Sequence, residues 1–323
     1  MNALRHFSVW IAFLSLTAVI FSCKSKNPVP PADEWQYYAS KNGLINNNVN
    51  DLAFDSEENL WIATEFGASK FDGANWTNFN TPQGLIHHQV NALAIDRNNK
   101  VWFATPFGVS SVHNNQWQSF NTQNGLGYNY VYDVDVDQNN NPWFATGEGV
   151  SYYNGQQWEV FLKDQGLALV HNIVRSVKVD QTNNKWFGTE FGISRYLNNT
   201  WQTLLAGNNQ AGFVVSLFVD SKNNLWIGSL AGVSVFDGNN FVDYSMSNGL
   251  IYSRVDAIAE DKSGTMWFGT VFGASSFDGT NWKSYSTNNG LLENWVTSIA
   301  VDKDDKVYFG MKNKGIAVLK RKN

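Results

Sequence analysis

Residues 249–273 read GLIYSRVDAIAEDKSGTMWFGTVFG, and residues 84–108 repeat the pattern as GLIHHQVNALAIDRNNKVWFATPFG. In both stretches an aspartate precedes a tryptophan by six residues, and a Thr-x-x-Gly turn follows. Pairs of this kind occur seven times, at Asp55/Trp61, Asp96/Trp102, Asp137/Trp143, Asp180/Trp186, Asp220/Trp226, Asp261/Trp267 and Asp302/Tyr308. Successive aspartates are 41, 41, 43, 40, 41 and 41 residues apart. A constant period near forty indicates one supersecondary unit copied along the chain.

A second aromatic position follows the first by about fifteen residues. It is occupied by Trp76, Trp117, Trp158, Trp201, Phe241 and Trp282. With Trp35 included, twelve of the fourteen tryptophans fall in these two positions. We therefore expect tryptophan to build the core of each unit.

Each unit reads as four short strands. In the first copy these are Val49–Phe54, Leu60–Thr64, Gly67–Phe71 and Trp76–Phe79, all rich in aromatic and β-branched residues and bounded by Asn, Asp or Gly. Asp-Gly and Asn-Gly pairs between the third and fourth strands, such as Asp72-Gly73, suit two-residue hairpin turns with positive φ. Four-stranded antiparallel units repeating every forty residues predict an all-β fold, the β-propeller.

The two ends of the repeat array predict how the ring closes. The seventh unit supplies three strands, near Val296–Val301, Lys306–Met311 and Gly315–Leu319. The missing outer strand matches the segment around Trp35 near the N-terminus, so we expect seven blades, with the N-terminal strand completing the last one. A right-handed β-helix is the competing fold, but its shorter coils would not need two aromatics every forty residues.

The first 33 residues are expected to direct export. Arg5 precedes an apolar run from about residue 7 to 21, which is short for a membrane span and is typical of a secretory signal. Cys23, the single cysteine, lies where a bacterial lipobox places it. We predict a lipoprotein signal at residues 1–22, a lipidated Cys23 with a tether at 23–33, and the propeller at 34–323, anchored to a membrane through lipid alone, on the outer membrane facing the periplasm or the cell surface. A plain signal peptide is the alternative.

Composition argues against nucleic acid as a partner. Charged residues make up 16% of the chain, and removal of Arg5 with the leader leaves 22 Lys and Arg against 28 Asp and Glu. The sequence contains no basic stripe of the kind that nucleic-acid binding requires.

The pattern of the repeat is Gly-Leu, then Val-x-x-Ile/Leu, then Asp-x-x-x-Asn-x-Trp-Phe/Ile-Gly/Ala-Thr-x-x-Gly. This repeat resembles that of the two-component regulator propeller family. The resemblance extends from Trp35 to Leu319 and implies a sensing module, often a periplasmic part of hybrid histidine kinases in bacteria that respond to polysaccharides. Only Lys320–Asn323 follow, so we expect no kinase or receiver segment in this chain. The repeats are also similar to those of streptogramin lyases, which implies an enzymatic alternative.

The predicted ligand site lies on the face formed by the Thr-x-x-Gly loops and the loops that precede each innermost strand. A ligand without sevenfold symmetry is expected to contact the positions that differ between copies. Six aromatic or cationic residues meet this criterion, Tyr128, Tyr130, Phe213, Tyr252, Arg254 and Trp295. They could stack on a sugar or a peptide and bind its carboxylate. In contrast, Phe66, Phe107, Phe191 and Phe272 recur at one position, so we expect them to fill space between blades.

Metal binding and catalysis have weaker support. The seven repeated aspartates stand one per blade and are expected to cap their own turns, so we predict neither a metal site nor a cofactor. A lyase could use histidine and glutamate as acid and base, and the candidates on the loop face are His87, His88, Glu148, His171 and Glu190. The sequence therefore favours a binding or sensing module for a glycan, a peptide or a protein partner, with the lyase as the alternative.

Overall fold

The computed structural model describes residues 33–166, 168–204 and 212–321. The predicted leader, Cys23 and almost all of the predicted tether lie outside these residues. In the described part, twenty-eight strands form seven antiparallel four-stranded sheets, one for each repeat. The predicted all-β, seven-bladed propeller is therefore confirmed. No helix in the described ranges is long and apolar enough to cross a membrane.

Each blade runs from an innermost strand to an outermost one. Blade 1 consists of β2 Val49–Phe54, β3 Leu60–Thr64, β4 Gly67–Phe71 and β5 Trp76–Phe79. Blade 2 consists of β6 Ala92–Ile95, β7 Val101–Thr105, β8 Gly108–His113 and β9 Gln116–Phe120. Blade 3 consists of β10 Val131–Val136, β11 Pro142–Thr146, β12 Gly149–Tyr153 and β13 Trp158–Phe161. Blade 4 consists of β14 Val174–Val179, β15 Lys185–Thr189, β16 Gly192–Leu197 and β17 Thr200–Leu204. Blade 5 consists of β18 Val214–Val219, β19 Leu225–Ser229, β20 Val233–Phe236 and β21 Phe241–Tyr244. Blade 6 is β22 Val255–Glu260, β23 Met266–Thr270, β24 Gly273–Phe277 and β25 Trp282–Tyr285, and blade 7 is β26 Val296–Val301, β27 Val307–Met311, β28 Gly315–Lys320 and β1 Glu34–Tyr38. Short 3-10 turns follow five outer strands, at Ser40–Asn42, Thr81–Gln83, Thr122–Asn124, Lys163–Gln165 and Met246–Asn248.

The N-terminal strand closes the ring as predicted. Strand β1 pairs antiparallel with β28, with Trp35 opposite Leu319. Trp35 packs into the last blade, with its ring 5.9 Å from that of Phe309 and 6.3 Å from that of Tyr285. The chain therefore joins its two ends through a full antiparallel ladder, which leaves no unpaired edge in blade 7 beyond the outer edge that every blade has.

In six of the seven blades, the repeated aspartate caps its turn and also accepts a hydrogen bond from the aromatic residue six positions later. In blade 4, Asp180 Oδ1 accepts the backbone N–H groups of Thr182 and Asn184, both at 2.9 Å. Its Oδ2 accepts the indole N–H of Trp186, also at 2.9 Å. One buried carboxylate thus caps the turn and satisfies a buried tryptophan, which confirms the predicted capping role.

Blade 2 departs from this arrangement. The indole nitrogen of Trp102 has no hydrogen-bond partner among the described residues, although the ring is almost fully buried. Asp96 still caps the turn by accepting the N–H groups of Asn98 and Lys100. The Lys100 ammonium lies 4.2 Å from the centre of the Trp102 ring, so the tryptophan gains a cation–π contact in place of the indole hydrogen bond.

A belt of hydrogen bonds crosses all seven blade junctions on the face of these turns. The residue after each repeated aspartate donates its backbone N–H to a side chain of the next blade, as Gln138 does to Asn183 Oδ1 at 3.2 Å. The acceptors are Asn99, Asn140, Asn183, Asn223, Glu260, Asp305 and Glu58. All of them except Glu260 have positive φ, and blade 6 has Gly264 at that position instead. We call this ring of bonds the turn-face belt.

The recurrent Gly-Leu pair also has a packing reason. Gly84 has φ of 129°, and a Cβ at this position would lie 2.3 Å from the ring of Trp117 in the next blade. Gly290 stands in the same relation to Trp35 across the closing junction. Glycine is required here because the backbone approaches an indole ring of the neighbouring blade and takes a conformation that other residues avoid.

The Asp-Gly hairpins differ from the expectation in one respect. Asp72 donates its backbone N–H to the carbonyl of Asn75 at 3.2 Å, so Gly73 and Ala74 are the central residues. Only Gly73 has positive φ, at 93°. The Asp72 carboxylate accepts the N–H groups of Ala74 and Asn75, so aspartate caps the turn from its flank.

Ring closure predicts a large cost for losing the N-terminal strand. Deletion of Glu34–Tyr38 would expose the edge of β28 and remove Trp35 from its contacts with Phe309 and Tyr285. We expect aggregation, or a loss of about 3–5 kcal/mol in the free energy of unfolding, as for truncation of a large buried aromatic. Thermal and urea unfolding measure this effect. A chain that begins at Asp33 is the control, and equal stability of the two would contradict closure by β1.

Candidate functional site

The seven innermost strands surround a central cavity of about 460 Å³. Its charged lining residues are Asp51, Asp133, Asp135, Arg175, Lys178 and Asp256. Most of them belong to blades 3 and 4, whereas blades 2, 5 and 7 contribute uncharged residues only. The interior of the ring is therefore not symmetric, although the outer parts of the blades are.

Carboxylates join the innermost strands of blades 3 and 4. Asp133 Oδ2 accepts the Ser176 hydroxyl at 2.8 Å and the Val177 N–H at 2.9 Å. Asp135 Oδ2 accepts the Val179 N–H at 2.8 Å and lies 3.2 Å from the ammonium of Lys178. Lys178 keeps about a third of its side-chain area accessible and lines the central cavity.

Asp51 makes the corresponding connection between blades 1 and 2 with one partner fewer. Its Oδ2 accepts the Leu93 N–H at 3.0 Å, but Ala92 stands where Ser176 supplies a hydroxyl to Asp133. Burial raises the pKa of Asp51 to about 7, the backbone N–H groups of Leu93 and Leu52 oppose this, and the charge on Asp133 adds to it. Asp51 therefore exchanges a proton near neutral pH.

This pKa predicts a pH-dependent stability. The folded state binds a proton at Asp51 up to about pH 7, whereas an unfolded Asp releases it near pH 4, so stability falls as the pH rises between these values. The contribution is at most about 4 kcal/mol. We expect Asp51→Asn to flatten the pH profile of urea unfolding over this window.

Ala92→Ser is the matched variant for this prediction. The added hydroxyl would lie where Ser176 serves Asp133, so it should lower the pKa of Asp51 and reduce the pH-dependent loss. Asp133 and Lys178 face the same carboxylate and are unchanged in both variants. Parallel pH profiles for the parent and Asp51→Asn would show that Asp51 does not titrate in this range.

A second cavity, of about 300 Å³, lies on the loop face. We call it the mouth cavity because it shares Asn50, Asn91, Tyr132, Asp256 and Thr297 with the central cavity. Its other lining residues are Glu65, Gln89, Tyr130, Arg254, Trp295 and Lys312. The mouth cavity thus joins blades 6, 7, 1, 2 and 3 and contains three of the six predicted ligand-binding residues.

Asp256 holds two of those predicted residues in place. Its Oδ1 accepts the Nε–H of Arg254 at 2.6 Å, and its Oδ2 accepts the indole N–H of Trp295 at 3.0 Å. The Arg254 guanidinium lies 6.0 Å and the Lys312 ammonium 5.8 Å from the Trp295 ring centre. A half-buried indole with two cations near its ring therefore lines the mouth cavity.

The third predicted residue in the mouth cavity is Tyr130, whose ring is 4.7 Å from that of Tyr132. Phe213 lies directly before β18, as the repeat predicts. It packs 5.5 Å from the guanidinium of Arg175, which also lies 4.3 Å from the Tyr132 ring and donates its Nε–H to Glu190 at 3.1 Å. Phe213 therefore supports Arg175 and does not line the mouth cavity.

Tyr128 and Tyr252 lie on the loop face outside the mouth cavity. Tyr128 is exposed and would contact a Cβ placed on Gly147. Tyr252 packs against Phe272, with ring centres 4.6 Å apart. The predicted site residues therefore divide into a group in the mouth cavity, namely Tyr130, Arg254 and Trp295, and a group around it.

The prediction for the four recurrent phenylalanines is wrong. Phe66, Phe107, Phe191 and Phe272 are 57%, 59%, 63% and 56% exposed, so they do not fill space between blades. The side chain at this turn position points outward because the preceding Thr hydroxyl caps the turn, as Thr64 Oγ1 accepts the Phe66 N–H. Each ring lies against a neighbouring ring. Phe66 stacks on His88 and Phe107 on His87, whereas Phe191 is tilted against His171 and Phe272 against Tyr252.

The histidines proposed for the lyase alternative serve turns in this structure. The Nδ1 atoms of His87 and His171 accept the backbone N–H groups of Gln89 and Ile173, each at 3.1 Å. Burial, and then the neighbouring His88, lower the pKa of His87. In the described ranges no hydrogen bond joins a histidine to Glu148 or Glu190, and no three potential ligands converge as a metal site.

Sequence reasoning missed several residues of the mouth cavity. Asp256 and Thr297 lie inside innermost strands, where the repeat pattern alone indicates packing. Glu65 lies in the Thr-x-x-Gly loop of blade 1, and Lys312 lies in the corresponding loop of blade 7. Neither residue was predicted, because the candidates were chosen for aromatic rings and for cations before the innermost strands. Asp256 could have been found from its negative charge, because the corresponding residues of the other copies are Asn, Tyr, Arg, Val or Thr.

Comparison with known proteins supports the repeat assignment. Residues 43–66 and 249–272 match the family described as two component regulator propeller, which confirms the resemblance for these two repeats. No curated protein sequence matches the chain. Many solved structures share the fold.

Three solved structures illustrate the range of proteins with this fold. The extracellular domain of BT3049, of a hybrid two component system from B. thetaiotaomicron, is 20% identical with a TM-score of 0.77, covering 88% of this chain and 41% of that one. Catalytically inactive virginiamycin B lyase from Staphylococcus aureus, with quinupristin, is 13% identical with a TM-score of 0.74, covering 90% and 100%. PorZ, a surface component of the type-IX secretion system of Porphyromonas gingivalis, is 16% identical with a TM-score of 0.70, covering 85% and 47%. This chain thus spans less than half of the first and third proteins, and at these identities the likeness establishes the fold alone.

Proposed function

We propose that the protein is an exported, lipid-anchored sensing module that binds a small glycan or peptide in the mouth cavity of its propeller. The observation that carries this proposal is the Trp295 indole, which is fixed by Asp256 and has the cations of Arg254 and Lys312 beside it. An indole face stacks on sugar or peptide groups, and the terminal nitrogens of an arginine bind a carboxylate.

Three further features support a binding role. The cavity volume of about 300 Å³ falls at the lower end of the range for small-molecule sites. The residues around it differ from blade to blade, whereas those of the turn-face belt and the Asp–Trp pairs repeat. Exposed aromatic rings around the cavity offer additional contact area for a larger ligand or a protein partner.

The likeness to extracellular sensor domains and to a bacterial surface component is consistent with export. In a sensing role, the ligand-bound propeller would contact a separate signalling protein. The predicted lipid anchor would hold it at a membrane, with the propeller joined to Cys23 by a short proline-containing tether.

A lyase is the second candidate function, supported by the likeness in fold to virginiamycin B lyase. Its residues here would be His87, His88 and His171 with Glu148 and Glu190. His87 and His171 each use one ring nitrogen to cap a turn, and Glu190 pairs with Arg175, so the chemistry would depend on the remaining ring nitrogens. The mouth cavity contains none of these five residues, which favours binding over catalysis there.

Substitutions in the mouth cavity test the proposed function. A glycan and peptide binding screen on residues 27–323 identifies ligands, and their affinities are then measured by calorimetry. We expect Trp295→Ala and Arg254→Ala each to weaken binding by about 1–3 kcal/mol, as truncation of an interface anchor does. Trp295→Phe should retain part of the stacking.

Stability provides the control for this prediction. Trp267 is fully buried whereas Trp295 is partly exposed, so Trp267→Ala should lower the melting temperature far more than Trp295→Ala. Normal ligand binding by both mouth variants, or equal loss of stability for the two tryptophan variants, would contradict a binding role for Trp295.

The anchor is tested at Cys23, which lies outside the described residues. Cys23→Ser removes the sulfur that would carry the lipid, so we expect the protein to leave the membrane fraction or to retain its leader. Fractionation followed by mass spectrometry of the N-terminus measures both outcomes. A variant that is processed normally and remains with membranes would contradict lipidation.

A further inference from the structure

The polar groups of the mouth cavity are divided by charge. Blades 6 and 7 supply donors. Only the Nε of Arg254 is engaged by Asp256, and in the described part of the chain no hydrogen bond or ion pair engages its terminal nitrogens or the Lys312 ammonium. Because Asp256 offsets the charge of Arg254, Lys312 provides the uncompensated positive charge of this side.

Blade 1 supplies acceptors to the same cavity. Among the described residues no hydrogen bond or ion pair engages the carboxylate of Glu65, whereas Glu190 at the same loop position in blade 4 is paired with Arg175. Asn50 donates its Nδ2 to the Val90 carbonyl at 2.8 Å, which leaves its Oδ1 as an acceptor. Burial, Tyr132 and Glu65 raise the pKa of Tyr130, so the Glu65 carboxylate lies within electrostatic reach of that phenol.

From this division we infer that the ligand of the mouth cavity is a small zwitterion, with its carboxylate at Arg254 and Lys312 and its ammonium at Glu65 and Asn50. The inference rests on the proposed function and names the ligand class for the same site. An ammonium group only donates hydrogen bonds and a carboxylate only accepts them, so each group matches one side of the cavity. Trp295 lies beside the cations and packs against the body of the ligand.

The cavity volume limits the size of the zwitterion. About 300 Å³ corresponds to roughly ten water molecules at about 30 Å³ each. A ligand of this size has on the order of ten non-hydrogen atoms inside the cavity, which suits an amino acid, a dipeptide or an amino sugar acid. A longer peptide would extend over the exposed phenylalanines of the loop face.

The experiment uses the chain from residue 27 and two sources of zwitterion. One arm is a pool of dipeptides with free termini, together with the same pool N-acetylated and the same pool amidated at the carboxyl end. The other arm is muramic acid, an amino sugar acid. We expect at least ten-fold weaker binding for either blocked pool than for the free pool, and binding in one arm identifies the source.

Two variants assign each end of the ligand to its side of the cavity. Glu65→Gln should weaken binding of the free dipeptides about ten-fold and leave binding of the N-acetylated dipeptides unchanged. Lys312→Met should weaken binding of the free dipeptides and leave binding of the amidated dipeptides unchanged. Asp164→Asn is the control, because Asp164 is an exposed acid in the 3-10 turn that follows β13, outside the mouth cavity. Thermal melts confirm that each variant folds.

The possible failures separate the inference from the proposed function. If blocked and free dipeptides bind equally, or if only an uncharged glycan binds with dependence on Trp295, the zwitterion assignment is overturned and the mouth cavity remains a binding site. If Asp164→Asn has the same effect as Glu65→Gln, general electrostatics accounts for the result and the assignment is overturned. If nothing binds with dependence on Trp295, the proposed function itself fails.

Discussion

The structure depends on one interaction repeated around the ring, the hydrogen bonding of the aspartate that ends each innermost strand. One oxygen of Asp180 closes the turn to the next strand, and the other satisfies the indole of Trp186. Because a buried indole without a partner is costly, the same carboxylate sets both the shape of the turn and the position of the core tryptophan. The constant six-residue spacing between the aspartate and the aromatic residue follows from this coupling, although blade 2 keeps the spacing without the indole hydrogen bond.

The aspartate turns also make the two faces of the propeller different. On the turn face, the left-handed residue of the turn accepts a hydrogen bond from the neighbouring blade in six of the seven blades, and Glu260 takes this role in blade 6. On the loop face, a side chain near the start of the innermost strand bonds the next blade at four of the seven junctions in the described residues. The turns of this face are capped within each blade by a threonine or serine hydroxyl in six of the seven blades, so the neighbouring positions are free to vary. Residues therefore differ between copies where the fold does not constrain them, and the proposed ligand site lies among these positions.

The fold was predictable because its determinants are local and repeated. All four strands of the first blade have the predicted bounds, and Trp35 identified the strand that closes the ring. The site was predictable only in part, because its residues meet across blades that are far apart in sequence. Trp295 and Arg254 were found from their side chains, but Asp256, which joins them, has the sequence context of a strand interior. The exposure of Phe66 and its three counterparts was missed because recurrence was taken to mean burial, whereas here it reflects a recurrent turn.

The asymmetry of the interior explains how a symmetric scaffold can host one site. Seven equivalent blades would present seven equivalent side chains to the axis of the propeller. A ligand without sevenfold symmetry could not match all seven of these side chains. In this chain the charged residues are concentrated in blades 3 and 4 at depth, and in blades 6, 7 and 1 at the mouth. Asp51 and Asp133 connect neighbouring innermost strands where the backbone ladders do not, so the walls of the cavity are fixed by the same buried carboxylates that make it polar. The buried carboxylates therefore make the central cavity both rigid and polar. A ligand site at the mouth cavity would be preorganised by these rigid walls.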